Sequence, residues 1–190
     1  MTRKGTTMKL YFAYGSNLNL EQMRHRCDTA RPYKAATLHG YALRYAGGGH
    51  ADIVCAKRSV VHGALYEITE RDEFRLDRYE GVSGGSGYYT KIQVSVKVSA
   101  RRSIDALTYV MRTDIPNCDP SDGYVLTCLI GMADWSLPVT GAVSLAVAKI
   151  SGKRALADAF NCVRAVWRAT TVPDAAEAEL QKRTGQAIIL

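Results

Sequence analysis

Near the start of the chain, Tyr14-Gly15-Ser16-Asn17 follows an apolar run and sets a glycine beside two small hydrogen-bonding side chains. A sharp turn at Gly15 can aim successive backbone N–H groups into one concavity, which suits an anion or a polarised carbonyl oxygen. Ser16 and Asn17 can add side-chain bonds. The same four residues also suit an ordinary strand-to-helix turn capped by asparagine, so the tetrapeptide alone leaves both uses open. A second candidate lies in Leu76-Asp77-Arg78-Tyr79-Glu80-Gly81-Val82. It puts Glu80 at or beside the end of a helix, where the negative pole disfavours another negative charge and pushes the carboxyl pKa upward. A carboxyl poised that way can take a proton at one step and return it at another. A surface glutamate on a frayed helix end would read the same way.

Other chemistries fit poorly. Gly47-Gly48-Gly49 and Gly84-Gly85-Ser86-Gly87 are not followed by Lys-Ser/Thr and lack GxGxxG spacing, so they read as mobile turns rather than phosphate cradles. His25, His39, His50 and His62 form neither HExxH nor HxH, and no cysteine pair sits near them at ligand spacing, so no metal is expected. Ser16 lacks the GxSxG elbow, which disfavours a covalent mechanism.

The elements that must position these residues follow from the apolar pattern. Lys9 to Tyr14 reads as a buried strand stopped by Gly15, and Asn17 or Asn19 can cap a short helix through Cys27, with Glu21 and Gln22 in its first turn. Lys34 to Leu38 and Tyr41 to Tyr45 read as two strands around His39-Gly40. Ala51 to Ala56 and Val60 to Ile68 read as two more around Lys57-Arg58-Ser59, and such spacing suggests a curled sheet or barrel. Thr69 caps an acidic-fronted helix that Gly81 stops. Tyr88 to Ala100 alternates Ile92, Val94, Val96 and Val98 with polar residues, a half-buried strand whose partner is Ile104 to Met111. Asp119-Pro120-Ser121-Asp122 starts a helix through the apolar run to Met132, and Lys153 to Trp167 and Asp174 to Arg183 read as further helices.

The 190 residues suit a single domain with a sizeable core. With 47% hydrophobic and 23% charged residues, disorder, collagen and coiled coil are poor fits. The net charge of +7 is dispersed in pairs such as Arg101-Arg102, so a solvated basic surface is favoured over a nucleic-acid footprint. Five scattered cysteines without a CxxC, no signal-peptide core and no run of transmembrane length point to a soluble protein of a reducing cytoplasm, without membrane partners.

Taken together, these blocks resemble the γ-glutamylcyclotransferase family in the branch that carries a YGSN loop. The similarity runs in order through YFAYGSNL (Tyr11 to Leu18), ADIV (Ala51 to Val54), HGALYEI (His62 to Ile68), LDRYEGV (Leu76 to Val82), the strand from Tyr89, LTYVM (Leu107 to Met111), PSDGY (Pro120 to Tyr124), Gly131 and Leu137-Pro138. It fades after Pro138, where Val139-Thr140-Gly141 stands in place of the tyrosine the family commonly has. The resemblance implies an α+β fold with a small mixed barrel and flanking helices. Residues 1–8 would be a flexible N-terminus, 9–138 the family domain, and 139–190 a helical extension packed on that domain. It also implies a cofactor-independent reaction in which the α-amine of a small γ-glutamyl amine attacks its own γ-amide carbonyl, forming 5-oxoproline and releasing the free amine. By the same resemblance Glu80 would be the catalytic proton shuttle. Tyr14, Gly15, Ser16 and Asn17 would form the substrate loop and Tyr89, Tyr109 and Tyr124 the pocket tyrosines, with Tyr109 equally suited to a core strand. The glycine-rich Ser83 to Gly87 would be a lid. The state would be a monomer or homodimer, and the alternative function is a non-catalytic module of the same fold that binds a small acidic ligand.

Overall fold

The structure is a computed structural model that describes residues 8–82 and 87–150. The helices expected over 153–167 and 174–183, and Ser83 to Ser86 of the expected lid, lie outside the described residues. Five strands form the centre: β1 (Lys9–Ala13), β2 (Arg31–Ala46), β3 (His50–Ile68), β4 (Tyr89–Ser99) and β5 (Arg102–Met111). They close into a barrel in the order β1-β3-β2-β4-β5. Closure comes from a parallel contact of β1 with β5 at Tyr11 and Leu107, while the other pairings are antiparallel. Helices α1 (Leu20–Arg26), α2 (Glu70–Tyr79), α3 (Asp122–Asp134) and α4 (Gly141–Ile150) flank it. This is the α+β class with a small mixed barrel.

The alternation in β4 works as the sequence suggests: Val94 and Val96 are buried while Lys91, Gln93, Ser95 and Lys97 face solvent. The four short strands expected between Lys34 and Ile68 are instead two long ones. Neither His39-Gly40 nor Lys57-Arg58-Ser59 is a turn. Both strands are continuous, but their ladder has a large bulge between the His39–Val60 and Tyr41–Cys55 pairs, where Gly40, with φ of 81°, faces the unpaired residues Ala56 to Ser59 of β3. A bulge of that kind bends a strand without ending it, and bending is what a small barrel requires. The reversal falls at Gly47, Gly48 and Gly49, whose φ values of 52°, 84° and 86° lie in the left-handed region. The triple glycine is therefore a hairpin turn.

The core runs through the barrel, with Phe12, Leu65, Ile68, Val96 and Leu107 buried, and extends to α3 through Val125, Leu129 and Met132. Ser121 caps α3 by accepting from the N–H of Tyr124 at 3.3 Å. At residue 131 of that helix only glycine fits, since a Cβ would stand 2.3 Å from the Asn19 nitrogen. This close approach seats the turn after β1 directly on α3. In α4, Val143 and Ala146 join the same core. The remainder of the expected extension, 151–190, lies outside the described residues.

Candidate active site

Two local motifs place the chemically interesting residues. In the first, β1 ends at Ala13 and Ser16-Asn17-Leu18 forms one 3-10 turn, whose carbonyls are gripped from outside. The Tyr66 hydroxyl donates to the Asn17 carbonyl at 3.0 Å and the Trp135 indole N–H donates to the Leu18 carbonyl at 2.9 Å. Asn19, of the two asparagines considered, is the helix cap: its Oδ1 accepts from the Gln22 N–H at 2.9 Å. Asn17 is thereby left for the pocket. Gly15 is extended at φ −119°, so the turn does not need its conformational freedom. It needs the space, because a Cβ there would stand 2.9 Å from the Ala51 Cβ.

In the second motif, α2 opens with a capping box between Thr69 and Asp72. It closes in a Schellman arrangement: the Val82 N–H donates to the Asp77 carbonyl at 2.8 Å and the Gly81 N–H to the Arg78 carbonyl at 3.3 Å. Gly81 takes the left-handed conformation with φ of 73°, and Glu80 is the residue before it. Ion pairs fix the helix on the barrel. Lys91 of β4 binds Asp77 at 2.9 Å and also pairs with Glu73, while Lys9 of β1 binds Glu73 at 2.6 Å. The Tyr109 hydroxyl adds a hydrogen bond to Asp77 Oδ1 at 2.7 Å.

Both motifs empty into one pocket of about 480 Å³, which brings together all the candidates: Tyr14, Gly15, Ser16, Asn17, Glu80, Tyr89, Tyr109 and Tyr124. The Glu80 side chain is 16% exposed. Its Oε1 accepts from Asn17 Nδ2 at 3.4 Å, and Asn17 Nδ2 also reaches the Tyr11 hydroxyl at 2.8 Å. The Glu80 carboxyl is raised above its ordinary pKa, chiefly by burial, while the Arg26 guanidinium, the Asn17 hydrogen bond and the His50 ring pull it down. The direction matches the sequence reading, and burial is its largest cause.

The tyrosines are largely committed to the protein. Tyr89 donates to the Ala51 carbonyl at 2.7 Å and Tyr124 accepts from the Ala51 N–H at 3.0 Å, so two phenols clamp the backbone of one residue of β3. Tyr14 donates to the Tyr109 carbonyl. Burial drives the pKa of Tyr14 and of the three expected pocket tyrosines, Tyr89, Tyr109 and Tyr124, upward, which keeps them neutral at physiological pH. Tyr109 is both of the things expected of it, 2% exposed in the barrel and a pocket wall. Sequence reasoning passed over Tyr11, Gln22, Arg26, Tyr79 and Tyr88, which share the pocket with His50. Of these, Arg26 was the most legible, lying three residues after Met23, the buried residue of α1. That spacing places it on the same side of the helix as the core face but does not point it at Glu80.

Residues 11–137 match the model of the family described as gamma-glutamyl cyclotransferase, AIG2-like. The chain is 31% identical over 140 residues to a gamma-glutamylcyclotransferase of Bos taurus, covering 68% of this chain and 73% of that one. A crystal structure of an uncharacterized Homo sapiens protein superposes with a TM-score of 0.65 at 29% identity, over 70% of this chain and 82% of the other. A structure titled gamma-glutamyl cyclotransferase shares the fold with a TM-score of 0.66 at 22% identity, over 93% and 99% of the two chains.

Proposed function

The chain belongs to the gamma-glutamyl cyclotransferase, AIG2-like family, and we propose that the tyrosine-walled pocket is where it works, with Glu80 as the proton-transferring residue. As a γ-glutamyl cyclotransferase, the protein closes the glutamyl part of its substrate into 5-oxoproline and releases an amine. In the proposed course, the Glu80 carboxylate takes a proton from the substrate α-ammonium. The freed amine attacks the γ-amide carbonyl and forms the new C–N bond. The resulting oxyanion collapses with cleavage of the original amide bond as Glu80 returns the proton to the departing nitrogen, and the second proton on the ring nitrogen passes by the same carboxylate to the amine, which leaves as an ammonium. No water is consumed. The nucleophile is already attached to the electrophile, so the site has mainly to hold the folded conformer and move protons from the α-nitrogen to the departing one.

The observation that carries this reading is the Glu80 carboxyl itself: poorly solvated, raised in pKa, and joined through Asn17 to the turn after β1. A raised carboxyl exchanges protons with an amine more readily than one held low by a close ion pair. Ser16 and the turn's N–H groups are proposed to face the substrate's carboxylate and carbonyl oxygens, with Tyr14, Tyr89, Tyr109 and Tyr124 as walls. Oxyanion-type contacts of this sort contribute about 3 kcal/mol each when preorganised. No described helix is long and apolar enough to cross a membrane. A reducing cytoplasm is the proposed location, supported by Cys27, Cys55, Cys118 and Cys128 being free thiols.

The test is a panel of γ-glutamyl amines, comprising a γ-glutamyl amino acid, a γ-glutamyl-ε-lysine isopeptide and glutathione, with 5-oxoproline as readout. Release from at least one member is expected, and the best substrate names the leaving amine. No release from any member would count against turnover and favour the binding module.

A further inference from the structure

Arg26, in the last turn of α1, has no role in the course above, yet its contacts converge on it. Its Nη1 donates to Asn17 Oδ1 at 2.7 Å and stands 4.0 Å from Glu80 Oε1, while its guanidinium carbon lies 4.9 Å from the centre of the Tyr79 ring. We infer that Arg26 is the positioning residue of this site: it fixes the Asn17 amide from behind and holds a positive charge against a carboxylate that tyrosines otherwise enclose. The inference rests on the reading of Glu80 as the proton-transferring group.

The first half follows from hydrogen-bond chemistry. A guanidinium has donors and no acceptor, so the end of the Asn17 amide it touches must be the oxygen. The other end is then NH₂, the end that meets both Glu80 and the Tyr11 hydroxyl. Gln22 Nε2, at 3.4 Å from the same oxygen, supports this orientation more weakly. Without Arg26 the amide can turn over and set its oxygen against the carboxylate, replacing an attraction with a repulsion.

The second half follows from what surrounds Glu80. Tyr11 comes from β1, Tyr14 from the turn after it, Tyr89 from β4, Tyr109 from β5 and Tyr124 from α3, and each is held neutral by burial. Asp77, on the helix that carries Glu80, is engaged by Lys91 and the Tyr109 hydroxyl. His50, at the start of β3, contributes when protonated. Arg26 is thus the permanent positive charge among the pocket-lining residues. At 4.0 Å it tempers the effect of burial without locking the carboxylate in a short ion pair. Tyr79 covers the guanidinium face, which limits its motion.

The test is a carbon-13 NMR titration of the Glu80 carboxyl in uniformly labelled full-length protein, assigned by comparison with Glu80→Gln, for wild type, Arg26→Lys, Arg26→Gln and Arg26→Met. The expected result is a midpoint displaced by about one pH unit to higher pH in the Met and Gln variants, with Lys close to wild type. The acid limb of kcat/KM should move in the same direction. Arg26→Met should also lose more of kcat than Arg26→Gln, which can still donate to Asn17. If Arg26→Met does not fold, Arg26→Gln carries the test of charge. An unchanged midpoint in a folded neutral variant, or an equal displacement in Lys and Gln, would overturn the inference. The titration does not depend on turnover, so failure of the proposed reaction would appear separately as absence of 5-oxoproline from the wild type.

Discussion

The Tyr124 hydroxyl of α3 stands 3.1 Å from the point that a Cβ on Gly15 would occupy. The turn after β1 is therefore closed against α3 and β3 through bare backbone, with the Ala51 Cβ 2.9 Å from the same point. That closeness lets three separate elements share one small pocket, with Tyr124 and Tyr89 holding the N–H and the carbonyl of Ala51.

Gly15→Ala should accordingly damage activity more than folding. The added methyl has to displace either Ala51 or Tyr124, and overpacking of that kind costs about 1–3 kcal/mol. A displacement near 1 Å at a site that depends on orientation lowers the rate roughly 100-fold. Steady-state kinetics beside thermal unfolding would check this, and a variant with wild-type kcat/KM would show that the turn need not sit so close.

Asp52 presents a different dependence, because it is fully buried and serves two elements. Its Oδ1 accepts from the Met111 N–H at 2.7 Å and its Oδ2 from Arg44 Nε at 2.7 Å. Arg44 Nη1 also donates to the Ile115 carbonyl and to Asn117 Oδ1, each at 3.2 Å, while its Nη2 is buried with no hydrogen-bond partner among the described residues. Asp52→Ala should cost about 3–5 kcal/mol by stranding a buried charge, and Arg44→Met with Asp52→Leu should cost less than the single change. Urea unfolding of both variants distinguishes the outcomes; a single variant of wild-type midpoint would contradict the account.

Glu80 should carry a stability penalty that depends on pH. Its folded pKa lies above the ordinary value, so the folded protein binds this proton more tightly than the unfolded chain does. As pH rises from the unfolded value through the folded one, stability is lost, because the charged form becomes the one that is buried. Below the unfolded value the carboxyl is neutral in both states and the penalty is absent. Glu80→Gln should therefore raise Tm at pH 7 to 8, with the gain fading on acidification and gone by about pH 4. Calorimetry across that range checks it; a Tm lowered by the substitution at pH 8 would mean that the Arg26 and Asn17 contacts outweigh burial.

What the sequence made legible was mostly local. The cap at Thr69, the helix start within Asp119 to Asp122, the stop at Gly81 and the alternation from Ile92 to Val98 depend on neighbours within a few residues, and each stands where expected. The long strands were misread because Gly40 and Lys57-Arg58-Ser59 carry turn signatures and together form a bulge instead, a choice decided by the pairing of β2 with β3 on either side. Glu80 and the turn from Tyr14 to Asn17 were legible as candidates separately. Their meeting was not, since it joins residues 63 positions apart. Arg26 and Tyr11 stayed hidden for the same reason: one reads as a basic helix end, the other as a core aromatic, and only barrel closure turns both toward one carboxylate.

The central claim is that Glu80 moves the proton in this pocket. Its most direct test is single-turnover formation of 5-oxoproline by wild type and Glu80→Gln, on whichever γ-glutamyl amine the wild type turns over best, with substrate binding measured in parallel by calorimetry. Glutamine keeps the size and the contact with Asn17 but cannot take the proton. The account predicts turnover reduced by about 10²–10⁴-fold with binding retained. Turnover close to wild type in the Gln variant would contradict it and assign the proton transfer to another group.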